Sequence, residues 1–394
     1  MTQDAIVIVG AARTPMAAFQ GEFSSMTAPQ LGSVAISAAL LRAQVKPESV
    51  DEVLFGCVLP AGQGQAPARQ AALGAGLPLS VECTTVNKMC GSGMKAAMLA
   101  HDALLAGSAD IVVAGGMESM TNAPYLMPKA RGGYRIGHGV LLDHMMLDGL
   151  EDAYDKGRAM GTFGEDCADK YHFTREAQDA FAVESVKRAQ AATANGWFKE
   201  EIAPVTISGK GGDTVIDTDE GPRRIKTDKI PSLKPAFKKD GTITAASSSS
   251  INDGAAALVM MKESHAKQLG LKPMARILGH SSHAQAPGWF TTAPVAAIQK
   301  LYDRLGMKTE DFDLFEINEA FAVVPMAAMA EHGIQHESVN IHGGACALGH
   351  PIGASGARIL VTLMGALKRT GKKRGMATLC IGGGEATAVA IEML

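Results

Sequence analysis

From Ala28 onward, apolar residues recur at helical spacing. Leu31, Val34, Ala35, Ala38 and Leu41 predict one buried helix face. A second stretch near Pro294 repeats the pattern, with Val295, Ile298, Leu301, Tyr302 and Leu305 on one face. The text after the two helices also matches. The first leads through Val45-Lys-Pro-Glu48 and Asp51 to Leu54-Phe55, the second through Met307-Lys-Thr-Glu310 and Asp311 to Leu314-Phe315. Both Leu-Phe pairs sit in short apolar runs that predict strands.

The correspondence continues downstream. Ser92-Gly93 opens a small-residue helix that turns at Ala106-Gly-Ser, and a strand over 111–114 leads to Gly115-Gly-Met-Glu118. Ser355-Gly356 opens another helix that turns at Thr370-Gly-Lys, and a strand over 377–381 leads to Gly382-Gly-Gly-Glu385. These parallels predict an α/β protein of two related halves. Residues 121–244 read differently. They hold scattered glycines, an exposed-looking helix over 174–194, and a basic stretch from Pro222 to Lys239. That stretch carries Arg223, Arg224, Lys226, Lys229, Lys234, Lys238 and Lys239 against one acid, Asp228. It reads either as a solvated face or as a cationic rim for a phosphorylated ligand.

Composition narrows the class. The 394 residues are 46% hydrophobic and 20% charged, a balance that supports a sizeable core rather than a disordered chain. A net charge of −3 disfavours nucleic acid as the main partner. The apolar run from Ala5 to Val9 is too short for a signal peptide and predicts a strand. No run is long enough to predict a membrane span. A cytoplasmic address with reduced cysteines is the expectation. The six cysteines, Cys57, Cys83, Cys90, Cys167, Cys346 and Cys380, form no C-x-x-C pair. No phosphate-binding P-loop, dinucleotide fingerprint after the first strand, H-E-x-x-H or G-x-S-x-G motif occurs, and no metal site is expected.

Two thiols stand out by context. Cys90 precedes Gly-Ser-Gly at a predicted strand-to-helix turn, where a helix N-terminus favours the thiolate. Cys380 ends the corresponding strand of the second half, before Gly382, Gly383 and Gly384, whose backbone can approach a ligand closely. Each suits either chemistry or core packing. His350, at a turn before a helix with Pro351 next to it, could take a proton from a nearby thiol or serve as a structural histidine. Asn318 ends a predicted strand, as an N-cap or as a donor to a water or an oxyanion.

Five motifs, in order along nearly the whole chain, resemble those of the thiolase family. They are Asn87-Lys-Met-Cys-Gly-Ser-Gly-Met-Lys-Ala96, Gly115-Gly-Met-Glu-Ser-Met120, Asn318-Glu-Ala-Phe-Ala322, Gly349-His-Pro-Ile-Gly-Ala-Ser-Gly356 and Cys380-Ile-Gly-Gly-Gly384. The closest branch is the bacterial biosynthetic one. The resemblance implies a five-layered α/β/α/β/α fold. Residues 1–120 with 245–271 would form one half, 272–394 the other, and 121–244 an inserted loop domain for coenzyme A binding and tetramerisation. It implies a homo-oligomer, a tetramer built as a dimer of dimers, with 121–140 as the tetramer loop. It implies acyl-CoA substrates and no separate cofactor, since coenzyme A arrives with the substrate.

The resemblance also assigns roles. Cys90 would carry the acyl group, His350 would activate it, and Cys380 would be the acid and base. Asn318, through a water, and His350 would bind the enolate oxygen; the N–H groups of Cys90 and Gly382 would form a second oxyanion hole. Arg223 or Arg224 and Lys229 would meet the coenzyme A phosphates, with Phe237 near the adenine. Ser249 would contact pantetheine, and Ala245 and Met160 would line the same site. Two departures concern acyl-chain preference: Ala245-Ala-Ser-Ser-Ser-Ser250 replaces a glycine-containing run, and Ala159-Met160-Gly161 lacks a customary histidine. Cys346 reads as a packing thiol, as do Cys57, Cys83 and Cys167. The implied reaction joins acetyl-CoA and acyl-CoA reversibly, with a degradative 3-ketoacyl-CoA thiolase as the alternative. A decarboxylating ketoacyl synthase generally places histidine or asparagine where Cys380 stands.

Overall fold

The computed structural model describes residues 4–394. The first half runs β1 (Ile6–Arg13), α1 (Ala28–Ala43), β2 (Glu52–Gly56), α2 (Pro67–Gly74), β3 (Glu82–Val86), α3 (Ser92–Ala106) and β4 (Ile111–Ser119). The intervening segment holds α4 (Met160–Tyr171) and α5 (Arg175–Ala194), and β5 (Asn252–Lys262) returns to the first half. The second half runs β6 (Ala275–Ala284), α6 (Ala293–Leu305), β7 (Leu314–Ile317), α7 (Val323–His332), α8 (Ser355–Thr370), β8 (Arg374–Ile381) and β9 (Glu385–Met393).

The main sheet is ordered β7-β8-β9-β6-β1-β5-β4-β2-β3. Strand β5 lies antiparallel between β1 and β4, while β2 lies parallel between β4 and β3. In the second half β9 lies antiparallel between β6 and β8, and β7 runs parallel to β8. A parallel bridge from Phe315 to Val339 takes the position of β3. The halves join where Val7 pairs with Arg276 and Ile8 with Ala275. Helices α3 and α8 pack on each other between the halves; α1 and α2 cover one outer face, α6 and α7 the other. The layers therefore read α/β/α/β/α. Helices on both faces explain why β4 and β5 are almost wholly buried and show no polar alternation.

The repeated turn text has a backbone reason. Gly107 and Gly371 end α3 and α8 at φ values of +77° and +66°, where a side chain is strained. Close approach has another. A Cβ on Gly356 would lie 2.3 Å from the Met94 nitrogen, so glycine lets the first turns of α8 and α3 touch. That contact brings the N-termini of the two central helices together, where the chemistry-bearing motifs lie.

Two helix faces differ from expectation. On α1, Leu31 and Ala35 are buried, but Val34 and Ala38 are half-buried and Leu41 is 80% exposed. Ile36, Ala39, Leu40 and Ala43 face inward instead. The seam is set by Gly10, whose position lets Ala39 and Ala43 sit directly on β1, so small residues outrank large ones there. Helix α5, capped by Thr174, is buried along Phe181, Ser185, Val186, Ala189 and Ala192 rather than exposed. The intervening segment is also tied to β1. Buried Arg13 meets Asp219 at 2.7 and 2.8 Å and Glu201 at 2.7 Å. Removing one partner of such a buried group costs about 3–5 kcal/mol. Among the described residues, no helix is long and apolar enough to cross a membrane.

Candidate active site

Strand β3 ends at Val86 and the chain turns sharply into α3. The Asn87 side chain accepts the Met89 N–H at 3.0 Å, and Ser92 Oγ accepts the Lys88 N–H at 2.8 Å while donating to the Met89 carbonyl at 2.6 Å. These bonds hold Met89 at φ +47°, a conformation a side chain seldom adopts. The result presents Cys90 at the mouth of the helix, partly open to solvent. The backbone N–H groups of Gly382 and of Cys90 itself lie near its sulfur and favour the thiolate. Burial nevertheless dominates and pushes the Cys90 thiol up to about 11. Burial thus outweighs the pull of the helix terminus toward the thiolate, and the group is held as a thiol at neutral pH.

Cys380 lies buried at the end of β8, and burial with the neighbouring Cys90 holds its thiol well above the usual range. The chain then turns through Gly383 and Gly384 at φ +92° and +89°. A Cβ on Gly384 would lie 2.3 Å from the Gln285 carbonyl oxygen, so the turn closes tightly on the end of β6. It aims the Gly382 N–H back at Cys90. Lys88 and Glu385 form an ion pair from one turn to the other.

His350 is buried on the loop that enters α8. Its Nδ1 lies 2.6 Å from Ser355 Oγ, which donates its single hydrogen to the Pro351 carbonyl at 3.0 Å. With the hydroxyl hydrogen on that carbonyl, Nδ1 carries the proton and the lone pair is on Nε2. Nε2 is buried without a partner among the described residues. Burial, with Arg358 nearby, lowers His350 to about 3, so the ring is neutral. Asn318 follows β7, with its N–H on the Thr378 carbonyl at 3.0 Å, two residues before Cys380. Its side-chain oxygen and nitrogen are both buried and unpaired. A buried primary amide without partners suits a ligand or an ordered water.

Three further side chains hold this arrangement, none of them assigned a role from the sequence. Glu118 accepts N–H bonds from Val58, Leu59 and Gly353 at 2.9–3.1 Å, joining the end of β4 to the loop after β2 and to the His350 loop. Burial raises it to about 7. Glu319 accepts from Ser185 Oγ at 2.7 Å, Asn340 at 2.8 Å and the Cys346 N–H at 2.9 Å. Ser355 sets the His350 tautomer. Glu118 and Glu319 do lie inside two quoted motifs, and an acid at the end of an apolar strand is the cue that could have marked them. Cys346 is buried on Glu319, Cys57 on Glu118 at 3.6 Å, Cys167 inside α4, and Cys83 half-buried on β3.

A cleft of about 270 Å³ opens beside these groups, lined by Gly382, Gly383, Met89, Met160, Leu147 and Tyr154. A larger cavity of about 320 Å³ over Trp197 and Arg369 contains none of the thiols. Met160 sulfur lies 3.6 Å from where a Cβ on Gly382 would stand. Phe237 covers the Gly161 backbone and meets Phe321 edge-on with centroids 5.8 Å apart. The Ser249 N–H bonds the Ala320 carbonyl at 2.9 Å, tying the largely buried stretch after exposed Ala245 to the segment after Asn318. The basic residues differ from expectation. Arg223 pairs with Glu22 at 2.7 Å and Arg224 with Glu220, so each would have to leave a carboxylate to meet a phosphate. Lys229 is exposed, with Asp228 3.8 Å away.

Two matched halves with facing thiols at their glycine turns define a class. Residues 6–264 match the thiolase N-terminal domain and residues 271–393 the thiolase C-terminal domain; the chain belongs to the thiolase family. Among curated relatives it is 52% identical over 392 residues to Acetyl-CoA acetyltransferase 1 of Arabidopsis thaliana, covering 99% of this chain and 94% of that one. It is 51% identical over 389 residues to Acetyl-CoA acetyltransferase of Cupriavidus necator, covering 98% and 99%. The solved structure of the Acat5 thiolase from Ascaris suum in complex with coenzyme A superposes with a TM-score of 0.93 at 42% identity, covering 99% of this chain and all of that one.

Proposed function

We propose that this thiolase acts as an acetyl-CoA acetyltransferase, joining two acetyl-CoA molecules to acetoacetyl-CoA and coenzyme A, and running in reverse. The observation that carries the reading is the Cys90 sulfur lying near the Gly382 N–H and beside the Cys380 thiol. In the first half-reaction His350 Nε2 takes the Cys90 proton as sulfur attacks the thioester carbon. The N–H groups of Cys90 and Gly382 stabilise the oxyanion. Coenzyme A leaves as its thiolate and takes the Cys380 proton.

The second half-reaction returns both protons. The Cys380 thiolate removes an α-proton from the second acetyl-CoA. The enolate oxygen is met by the protonated His350 and by a water on Asn318, and the α-carbon attacks the Cys90 thioester. Cys90 leaves as thiolate and takes the proton from His350. One oxyanion donor in such a site supplies ~10²–10³ in rate. Coenzyme A serves as substrate and product, and the scheme uses no resident metal or cofactor.

Pantetheine would enter past Met160 and Ser249, with Phe237 and Ala245 further out, and Lys229 is the better candidate for a phosphate than Arg223 or Arg224. We also read the chain as a cytoplasmic homotetramer. Tyr125, Met127, Ile136, Val140 and Leu141 are each more than half exposed on one excursion, which suits burial by another copy. Its six cysteines are all unpaired, which suits a reducing compartment. Loss of acetoacetyl-CoA absorbance on adding coenzyme A tests the activity. No thiolysis by reduced protein would refute it, and the rates with C4, C6 and C8 ketoacyl-CoA decide between this reading and a degradative thiolase of broader chain length.

A further inference from the structure

A second cluster of ligating side chains lies further along α3. His101 and Asp102 sit about 14 Å from the first residue of that helix at 1.5 Å per residue, and His280 faces them from β6 of the other half. Asp102 Oδ1 lies 3.1 Å from His101 Nδ1 and 2.9 Å from His280 Nε2. The three ligand atoms lie within 4.8 Å of one another. The two imidazole side chains are 14% exposed and the carboxylate 53%, so the cluster is walled by the protein and open to water at Asp102. The rings meet edge-to-face with centroids 4.9 Å apart.

We infer that His101, Asp102 and His280 form a binding site for a divalent transition ion such as zinc or cobalt. Such ions take imidazole nitrogen and carboxylate oxygen at about 2.0–2.2 Å, which places ligand atoms about 3–3.5 Å apart. Two of the three separations already approach that spacing, and small side-chain rotations close the third. Two nitrogens and one oxygen suit zinc, cobalt or nickel rather than calcium or magnesium. Waters would complete the coordination on the exposed side.

Two cationic side chains lie near the cluster. Lys95 on α3 opposes a cation, and Arg304 is engaged with the His280 carbonyl. An ion here would staple the central helix of one half to the first strand of the other, so it acts on stability rather than turnover. Binding to the folded chain alone raises the unfolding midpoint.

Cobalt titration of the reduced, metal-free protein tests this, because cobalt reports its own ligands. The expected result is one equivalent bound with weak visible ligand-field bands and no strong near-ultraviolet thiolate charge transfer. Cobalt should raise the midpoint, His280→Ala should abolish binding, and Asp102→Asn, which keeps the side-chain shape, should weaken it at least about tenfold. Thiolysis should stay at the wild-type rate in both variants. Absence of binding, equal uptake by His280→Ala, or thiolate charge-transfer bands from the cysteines would overturn the assignment.

Discussion

Lys88 forms an ion pair with Glu385 across the gap between the two halves. Lys88 stands two residues before Cys90, and Glu385 directly follows the three-glycine turn that presents Gly382. The pair thus ties the turn that carries Cys90 to the turn that carries Gly382. Both side chains are partly exposed, at 24% and 34%, so the contribution to stability is modest, on the order of 1 kcal/mol or less. The contribution to alignment should be larger. Glu385→Gln is expected to lower kcat about 3–10-fold with little change in melting temperature, since small displacements are costly in a positioned site. Steady-state kinetics beside a thermal melt checks this; a variant that melts early but turns over normally would assign the pair to stability alone.

Ser355 governs His350 through one hydrogen bond. Its hydroxyl lies 2.6 Å from Nδ1 and 3.0 Å from the Pro351 carbonyl, and a hydrogen given to that carbonyl leaves it to accept from Nδ1. In Ser355→Ala the ring loses the bond that selects its tautomer. The expected loss in kcat is about 10–100-fold, part of the ~10²–10⁴ that a positioned base supplies. KM should change far less, and Ser355→Thr should recover part of the rate. A fall in binding with kcat intact would contradict this role.

The pH behaviour of Cys90 follows from its surroundings. Burial raises its thiol to about 11, against about 8.5 for a free cysteine, so it stays protonated through neutral pH. Alkylation of Cys90 by iodoacetamide in the free protein should rise about tenfold per pH unit from 7 to 10, followed by mass spectrometry of the Cys90 peptide. A plateau already reached by pH 8 would mean that the thiolate pre-exists. His350 acts in the opposite direction. Its folded value of about 3 lies below the unfolded ~6.5, so the unfolded chain gains a proton first as pH falls, and stability is lost between those values.

Much of this was legible because it is local. Cys90, His350, Cys380 and Asn318 each stand beside glycines or at a strand end, and the halves repeat their turn chemistry at Gly107 and Gly371. What was not legible depends on distant partners. Arg223 is neutralised by Glu22, 201 residues away, and the basic run looked free without it. The α1 face is set by Gly10 on another element. The Cys90 thiol rises through burial that no neighbouring residue in the chain reveals. Glu118 gains its work from two distant loops, and Glu319 from α5 and the segment before His350, brought together only in the fold.

The division of labour between the two thiols is the centre of the account, and acyl transfer from labelled acetyl-CoA tests it most directly. Cys380→Ser should still accept label on Cys90 while overall turnover collapses, because that hydroxyl cannot take up the α-proton. Cys90→Ser should accept none. Label persisting in Cys90→Ser, or lost equally in both variants, would contradict the roles assigned to Cys90 and Cys380.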